Sequence, residues 1–328
     1  DFTSLDIHWG SIKIRETVFL GCTFREADRI HLFSRGAYIY EAPEDLPYRP
    51  FRKKLYTWQE LGSGKEDSLD FRIYKHFYHQ RRNPSINEAL WQRMHDHGID
   101  DALREYIGMR DNGLPQLKCV GIMGGHGVAR TDSAYLQTAR TAKMLAEAGF
   151  LIVSGGGPGI MEAANLGAFL AGHSDRTVED AIEWMSGAAN YEDPEFINLS
   201  IQCWKRIMHG KPNLAIPTWF YGHEPSNVFA THIAKYFSNS IREDTLLAIC
   251  IWGVIFAPGS AGTIQEIFMD ASQNHYGTFG YYSPMVFLGS DHYQHDSLIF
   301  PTLKRLARGK VYDKLLHVSD DHKDVLHF

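Results

Sequence analysis

The chain has 328 residues and a mass of 37.3 kDa, with 44% hydrophobic and 22% charged residues. That profile fits a globular protein with one large domain, or a large and a small one. A formal net charge of −6 and a pI near 6.3 argue against a nucleic-acid scaffold or a polybasic membrane binder. Cys22, Cys119, Cys203 and Cys250 are far apart with no C-x-x-C pair, so neither a zinc site nor a disulfide framework is expected. That cysteine spacing makes a reducing cytoplasm the expected setting; no apolar run has the length of a membrane span and no signal-peptide pattern opens the chain.

The segment 1–115 is aromatic, charge-rich and without glycine-rich loops, and it reads as a smaller α+β accessory region. Thr17–Thr23 and Ala37–Ala42 have the β-branched and aromatic content of short strands. Helices are expected over 70–82, 86–96 and 99–108. Asn83-Pro84-Ser85 marks one break, and Gly98 followed by Asp100 and Asp101 marks another. Asp111-Asn-Gly-Leu-Pro115 has the composition of a linker.

From 116 to 328 strand and helix patterns alternate, which predicts a Rossmann-like α/β domain: a doubly wound parallel sheet with helices on both faces. Leu117–Met123 is an apolar strand running into Gly124-Gly125. A helix over Thr131–Ala148 ends at Gly149. Phe150–Val153 leads into Ser154-Gly-Gly-Gly-Pro-Gly159 and a helix over Ile160–Ala171. Strands follow at Leu214–Ile216 and Thr231–Tyr236, then a helix capped by Ser238 or Asn239 and ending near Cys250. Trp252–Ala257 meets Pro258-Gly-Ser-Ala-Gly262 and a helix through about Ser272. Met285–Leu288 reads as the last strand and Leu298–Ala307 as the helix after it.

Glycine-rich turns from strand to helix let backbone N–H groups approach a ligand, and the helix N-terminus adds positive partial charge. Two such turns, at 154–159 and 258–262, together with Gly124-Gly125-His126-Gly127, would all emerge at the carboxyl edge of the sheet. A dinucleotide fingerprint is missing, because Arg130 stands where G-x-G-x-x-G needs its third glycine and no acidic residue ends the second strand. No G-x-x-x-x-G-K-[ST] occurs, so a P-loop is excluded.

Ser154-Gly-Gly-Gly-Pro-Gly-Ile-Met-Glu162 and Pro258-Gly-Ser-Ala-Gly-Thr-Ile-Gln-Glu266 together resemble the Lonely Guy (LOG) family, often labelled lysine decarboxylase. Gly124-Gly125-His126, Glu224-Pro-Ser-Asn227 and Arg242 are closer to its branch of bacterial nucleotide 5′-monophosphate nucleosidases. The resemblance spans roughly 116–328. It implies hydrolysis of the N-glycosidic bond of a nucleoside 5′-monophosphate, giving base and ribose 5-phosphate, by a homo-oligomer with no cofactor and no nucleic-acid or membrane partner. It also implies catalytic roles for Glu266 and Arg242. Nucleotide contacts are implied for Gly124, Gly125, His126, Ser154, Gly155, Gly156, Gly157, Gly159, Met161, Glu162, Asn227, Gly259, Ser260, Ala261, Gly262 and Thr263. The chain departs from the family at Ser260, where the family has glycine, and by an Arg242–Pro258 interval one residue longer.

Such hydrolysis passes through a ribosyl cation that a carboxylate stabilises, or uses a carboxylate to activate water. A guanidinium suits phosphate or a ribose hydroxyl. Simpler readings stand beside these. Glu266 and Glu162 would each also serve as complements to a helix dipole. His126 either contacts ligand or satisfies a turn, and Arg242 is otherwise a solvated helix residue. Trp219-Phe-Tyr221 either roofs a base or packs a loop. The basic aromatic run Phe71–Arg82 reads as an amphipathic helix rather than a base-stacking surface. His95 and His97, two residues apart, do not share a helix face, so no metal is expected. A binding or sensing protein with the same loops and no turnover is the alternative function.

Overall fold

The computed structural model describes residues 1–42, 45–62, 67–222, 224 and 226–328. The chain starts with β1 (Val18–Leu20), α1 (Glu26–Ser34) and β2 (Tyr38–Tyr40), the two strands pairing in parallel. This unit has its own small core of Trp9, Ile14, Phe24, Leu32 and Ala37. Three helices follow: α2 (Trp58–Leu61), α3 (Leu69–Gln80) and α4 (Ile86–Ile107). Thr57, Ser68 and Ser85 cap them, each side chain accepting from a first-turn amide. The basic aromatic run is indeed an amphipathic helix, α3, with Ile73 and Phe77 buried.

Two helices were expected across 86–108, and one is present. Gly98 does not end a helix; it sits inside α4 because the chain crosses there. A Cβ at this position would lie 2.2 Å from the Arg52 carbonyl oxygen, so glycine permits a close approach rather than a stop.

The remaining chain alternates as expected. In order it forms β3 (Cys119–Met123), α5 (Ser133–Glu147), β4 (Leu151–Ser154), α6 (Ile160–Phe169), α7 (Asp175–Met185), α8 (Phe196–Ile207) and β5 (Leu214–Ala215). Then come β6 (His232–Ile233), α9 (Asn239–Ile249), β7 (Val254–Phe256), α10 (Ala261–Tyr276), β8 (Met285–Leu288), α11 (Ile299–Ala307), β9 (Leu316–Ser319) and α12 (His322–His327). The strands from β3 onward form one parallel sheet in the order β6-β5-β4-β3-β7-β8-β9. Met285–Leu288 is therefore not the last strand: β9 adds an edge, half-buried and polar enough (Leu-His-Val-Ser) to hide its apolar pattern. The expected strand at 231–236 is regular only over His232–Ile233, though pairing runs on through the Ala234 and Tyr236 amides to the Ala215 and Pro217 carbonyls, and Ile233 also bonds both ways to Tyr56 of the N-terminal segment.

Alternation along the strands sorts the two faces. Val120, Ile122, Ile152, Ile255 and Val286 pack with Ala142, Leu145, Ile160 and Ala164 of α5 and α6. Met123, Val153, Val254, Phe256 and Phe287 face the other way, onto a core that also holds Ile73, Phe77, Trp91, Ile99 and Leu103. That core is continuous across the 111–115 turn: α3 and α4 cover the sheet, and residues 1–42 hold a second small core while Leu20, Tyr40 and Ala42 pack against the first. This is a Rossmann-like α/β fold.

Candidate functional site

The chain runs outward from β3 to β4, β5 and β6, then returns to β7 on the opposite side of β3. This reversal of strand order opens a crevice at the carboxyl ends of β3 and β7, the usual ligand position of an open α/β sheet. The loops after β3, β4 and β7 meet there and are tied together. The Gly125 amide donates to the Pro258 carbonyl at 3.0 Å, and the Ile160 amide donates to the Gly125 carbonyl at 3.1 Å. Gly159 adopts φ +66°, and a Cβ on it would lie 2.4 Å from the Gly125 oxygen, so the β3 and β4 loops interlock only with glycine there.

The crevice is a cleft of about 520 Å³. Gly124, Gly125 and His126 line it from the first loop and Gly155, Gly156, Gly157 and Met161 from the second. Ser260, Ala261, Gly262 and Thr263 line it from the third, with Arg242 and Glu266 between them. Among the described residues no side chain caps the N-terminus of α6 or α10, so both helix starts offer amides and positive partial charge to this space. Ser260 occupies the N-cap position of α10 and lines the cleft, which leaves its hydroxyl available as a further donor.

Arg242 lies on α9, buried, with Nε donating to the Ile216 carbonyl at 2.7 Å and Nη1 to Glu266 Oε1 at 3.1 Å. Its guanidinium occupies the room that Gly155 leaves: a Cβ there would lie 2.5 Å from Nη2. The longer interval before Pro258 thus still delivers the side chain to the loops. Glu266 lies on the second turn of α10, not the first, beyond the range where a helix dipole matters much. Burial raises its carboxyl above the ordinary range, Arg242 opposes that, and nearby Glu243 adds to it.

Several expected contacts prove to be supports. The Glu162 side chain turns away from the cleft into a buried network, bonded twice to Arg130 at 2.6 and 2.9 Å and accepting from Tyr135 and Ser200. Arg130, where a dinucleotide fold would carry glycine, is fully buried and also donates to the carbonyls of Met185, Ala188 and Phe196. Ser154 and Asn227 likewise sit beneath the second loop, both bonded to Asn165, at 2.7 and 2.8 Å. Gly159 and Gly259 shape the loops without lining the cleft. His126 is exposed at the rim, with its ring 5.5 Å from that of Tyr191.

Trp219 packs rather than roofs: it is fully buried, and its indole nitrogen donates to Asp70 at 2.8 Å. Tyr221 does line the cleft, as do Glu224, Glu243 and Gln265, which motif reasoning did not place there. Glu243 accepts from Tyr221, Asn239 and Gln265 at 3.3, 2.7 and 2.8 Å. Its signal was its place directly after Arg242. His223 and Pro225 of the flanking motifs lie outside the described residues. His95 is buried between Tyr56 and Asp96, and no group of three metal-ligating side chains occurs among the described residues.

A search of curated proteins finds no match to the chain. Residues 117–174, from just before β3 to just past α6, match the model of the SLOG cluster4 family. Among solved structures, the molybdenum cofactor binding protein of Rippkaea orientalis aligns with 65% of this chain and 94% of its own, at 13% identity and a TM-score of 0.42. The molybdenum cofactor carrier protein of Chlamydomonas reinhardtii aligns with 65% and 95%, at 15% identity and a TM-score of 0.40. The chain is thus similar, over its first two glycine loops, to the SLOG cluster4 family.

Proposed function

We propose that the cleft binds a nucleotide-like phosphomonoester, with its phosphate at the loops that open α6 and α10. One observation carries this reading: three glycine loops converge on a single crevice, and two uncapped helix N-termini open into it. Backbone amides and helix partial charge together form an anion seat without lysine. A ligand that binds only the native state raises the melting temperature. AMP, GMP, CMP, UMP and IMP should therefore each stabilise the protein more than the corresponding nucleosides. Equal shifts from nucleosides would remove the phosphate seat.

A second reading adds turnover, and the Arg242–Glu266 pair favours it. Glu266 is held by one bond from a guanidinium whose Nη2 lies over the second loop, close to where a ribose attached to the seated phosphate would lie. In hydrolysis the C1′–N bond breaks with its electron pair leaving on the base, and water adds to C1′ and delivers its proton to the base. Glu266 would stabilise the ribosyl cation or take the water proton, and Arg242 would hold Glu266 ionised against its burial. Chromatography after incubation with each monophosphate separates the readings: free base with ribose 5-phosphate means turnover, and binding without product means a carrier or sensor.

A further inference from the structure

A second, larger cavity of about 890 Å³ lies beside the cleft, between α3, α4, the start of α9 and the loop bearing Phe220 and Tyr221. Tyr221, Glu243 and Gln265 line both spaces, so the two adjoin across this hydrogen-bonded ridge. The charges facing the groove do not balance. Two carboxylates line it, and both are already served. Asp96 accepts from the Phe237 and Ser238 amides at 2.9 Å each, and also contacts His95 at 3.2 Å. Glu243 holds the three donors described above.

Against them stand Arg81, Arg82 and Arg93. Arg81 braces the loop by donating to the Phe220 carbonyl at 3.1 Å, with its guanidinium over the Tyr78 ring. Arg82 and Arg93 have no ion pair among the described residues. Beside them, Phe220 and Tyr221 are 46% and 61% exposed, with their rings 5.3 Å apart. Free guanidinium forks next to exposed ring faces suit a ligand that carries both phosphate and a flat heterocycle.

We infer that cleft and groove take one ligand, a nucleotide bearing a second phosphoryl group, of the 5′-phosphorylated dinucleotide class. Its terminal phosphate sits at the glycine loops, and its second phosphate lies against Arg82 and Arg93. The inference rests on the phosphate seat proposed above. Size supports it, since the cleft alone has the volume of an ordinary small-ligand site and the groove adds a larger one.

Calorimetric titration with AMP, adenosine and 5′-phosphorylated diadenylate tests it. The dinucleotide should bind about tenfold or more tighter than AMP, the worth of one charge-assisted contact. The double variant Arg82→Ala, Arg93→Ala should lose that advantage while binding AMP as the parent does. Both arginines are exposed, so the variant should fold. A dinucleotide no tighter than AMP, or an advantage that survives the double substitution, overturns the inference. AMP binding no better than adenosine is a different failure, that of the phosphate seat itself.

Discussion

Glu162 and Glu266 occupy similar places in sequence, each just after a glycine loop and each paired with an arginine, yet their surroundings differ. Glu162 is 1% exposed and saturated: both oxygens meet Arg130, with Tyr135 and Ser200 adding donors. Among the described residues Glu266 has one bond, to Arg242, and it lines the cleft. A buried carboxylate with every lone pair occupied orders the structure around it, whereas one left partly unserved beside a cleft retains capacity for a ligand. A third carboxylate, Asp270, lies one turn beyond Glu266 on α10 with no cation paired to it among the described residues. Among the described residues only Ser283 donates to it, at 3.3 Å, and its buried Oδ2 has no partner there.

This contrast breaks first, and most visibly, at Glu266. Glu266→Gln keeps size and hydrogen bonding but removes charge. It should bind monophosphate within a few-fold of the parent while turnover falls by about 10²–10⁴. Steady-state rates beside thermal melts check this, and a variant of unchanged activity would reduce Glu266 to a structural role. Glu162→Ala should do the reverse. Stranding Arg130 in the core should cost about 3–5 kcal/mol of stability, read by denaturant unfolding. Monophosphate affinity per folded molecule should stay close to that of the parent.

Asp270 sharpens the comparison through pH. Burial pushes its carboxyl up to about 7, above the unfolded value, so the folded state favours the protonated form. That stabilisation is fully present below the ordinary carboxylate range and is lost as pH rises through about 7. Asp270→Asn should therefore raise stability modestly at pH 5, by about 1.5 kcal/mol, and more at pH 8, by up to about 4 kcal/mol relative to the parent. Melting curves at the two pH values read the difference. A parent and variant with the same pH profile would show that Asp270 is served by solvent.

Much of the sheet was legible because buried parallel strands read as apolar runs ending in glycine, as Cys119–Met123 and Leu151–Ser154 do. The loops were legible because close backbone approach restricts residue type, whereas Arg242 and Glu266 were singled out by the family resemblance. Side-chain direction was not. Nothing in Gly-Ile-Met-Glu162 indicates that its carboxylate turns toward Arg130, which is 32 positions earlier. Continuity of α4 through Gly98 depends on the Arg52 backbone crossing over it, a contact between distant segments that local propensity does not contain. Glu243 and Gln265 reach the cleft from α9 and α10 through helix packing, which no motif spacing specifies.

The most direct test of the phosphate seat uses the Glu266→Gln protein, in which slow turnover does not blur the binding signal. Titrated calorimetrically with AMP and with adenosine, it should bind AMP about 30-fold or more tighter, since charge-assisted bonds from loop amides contribute about 1.5–3 kcal/mol each. Equal affinity for AMP and adenosine would contradict the account, because the convergence of three glycine loops and two uncapped helix starts would then have no anion to bind.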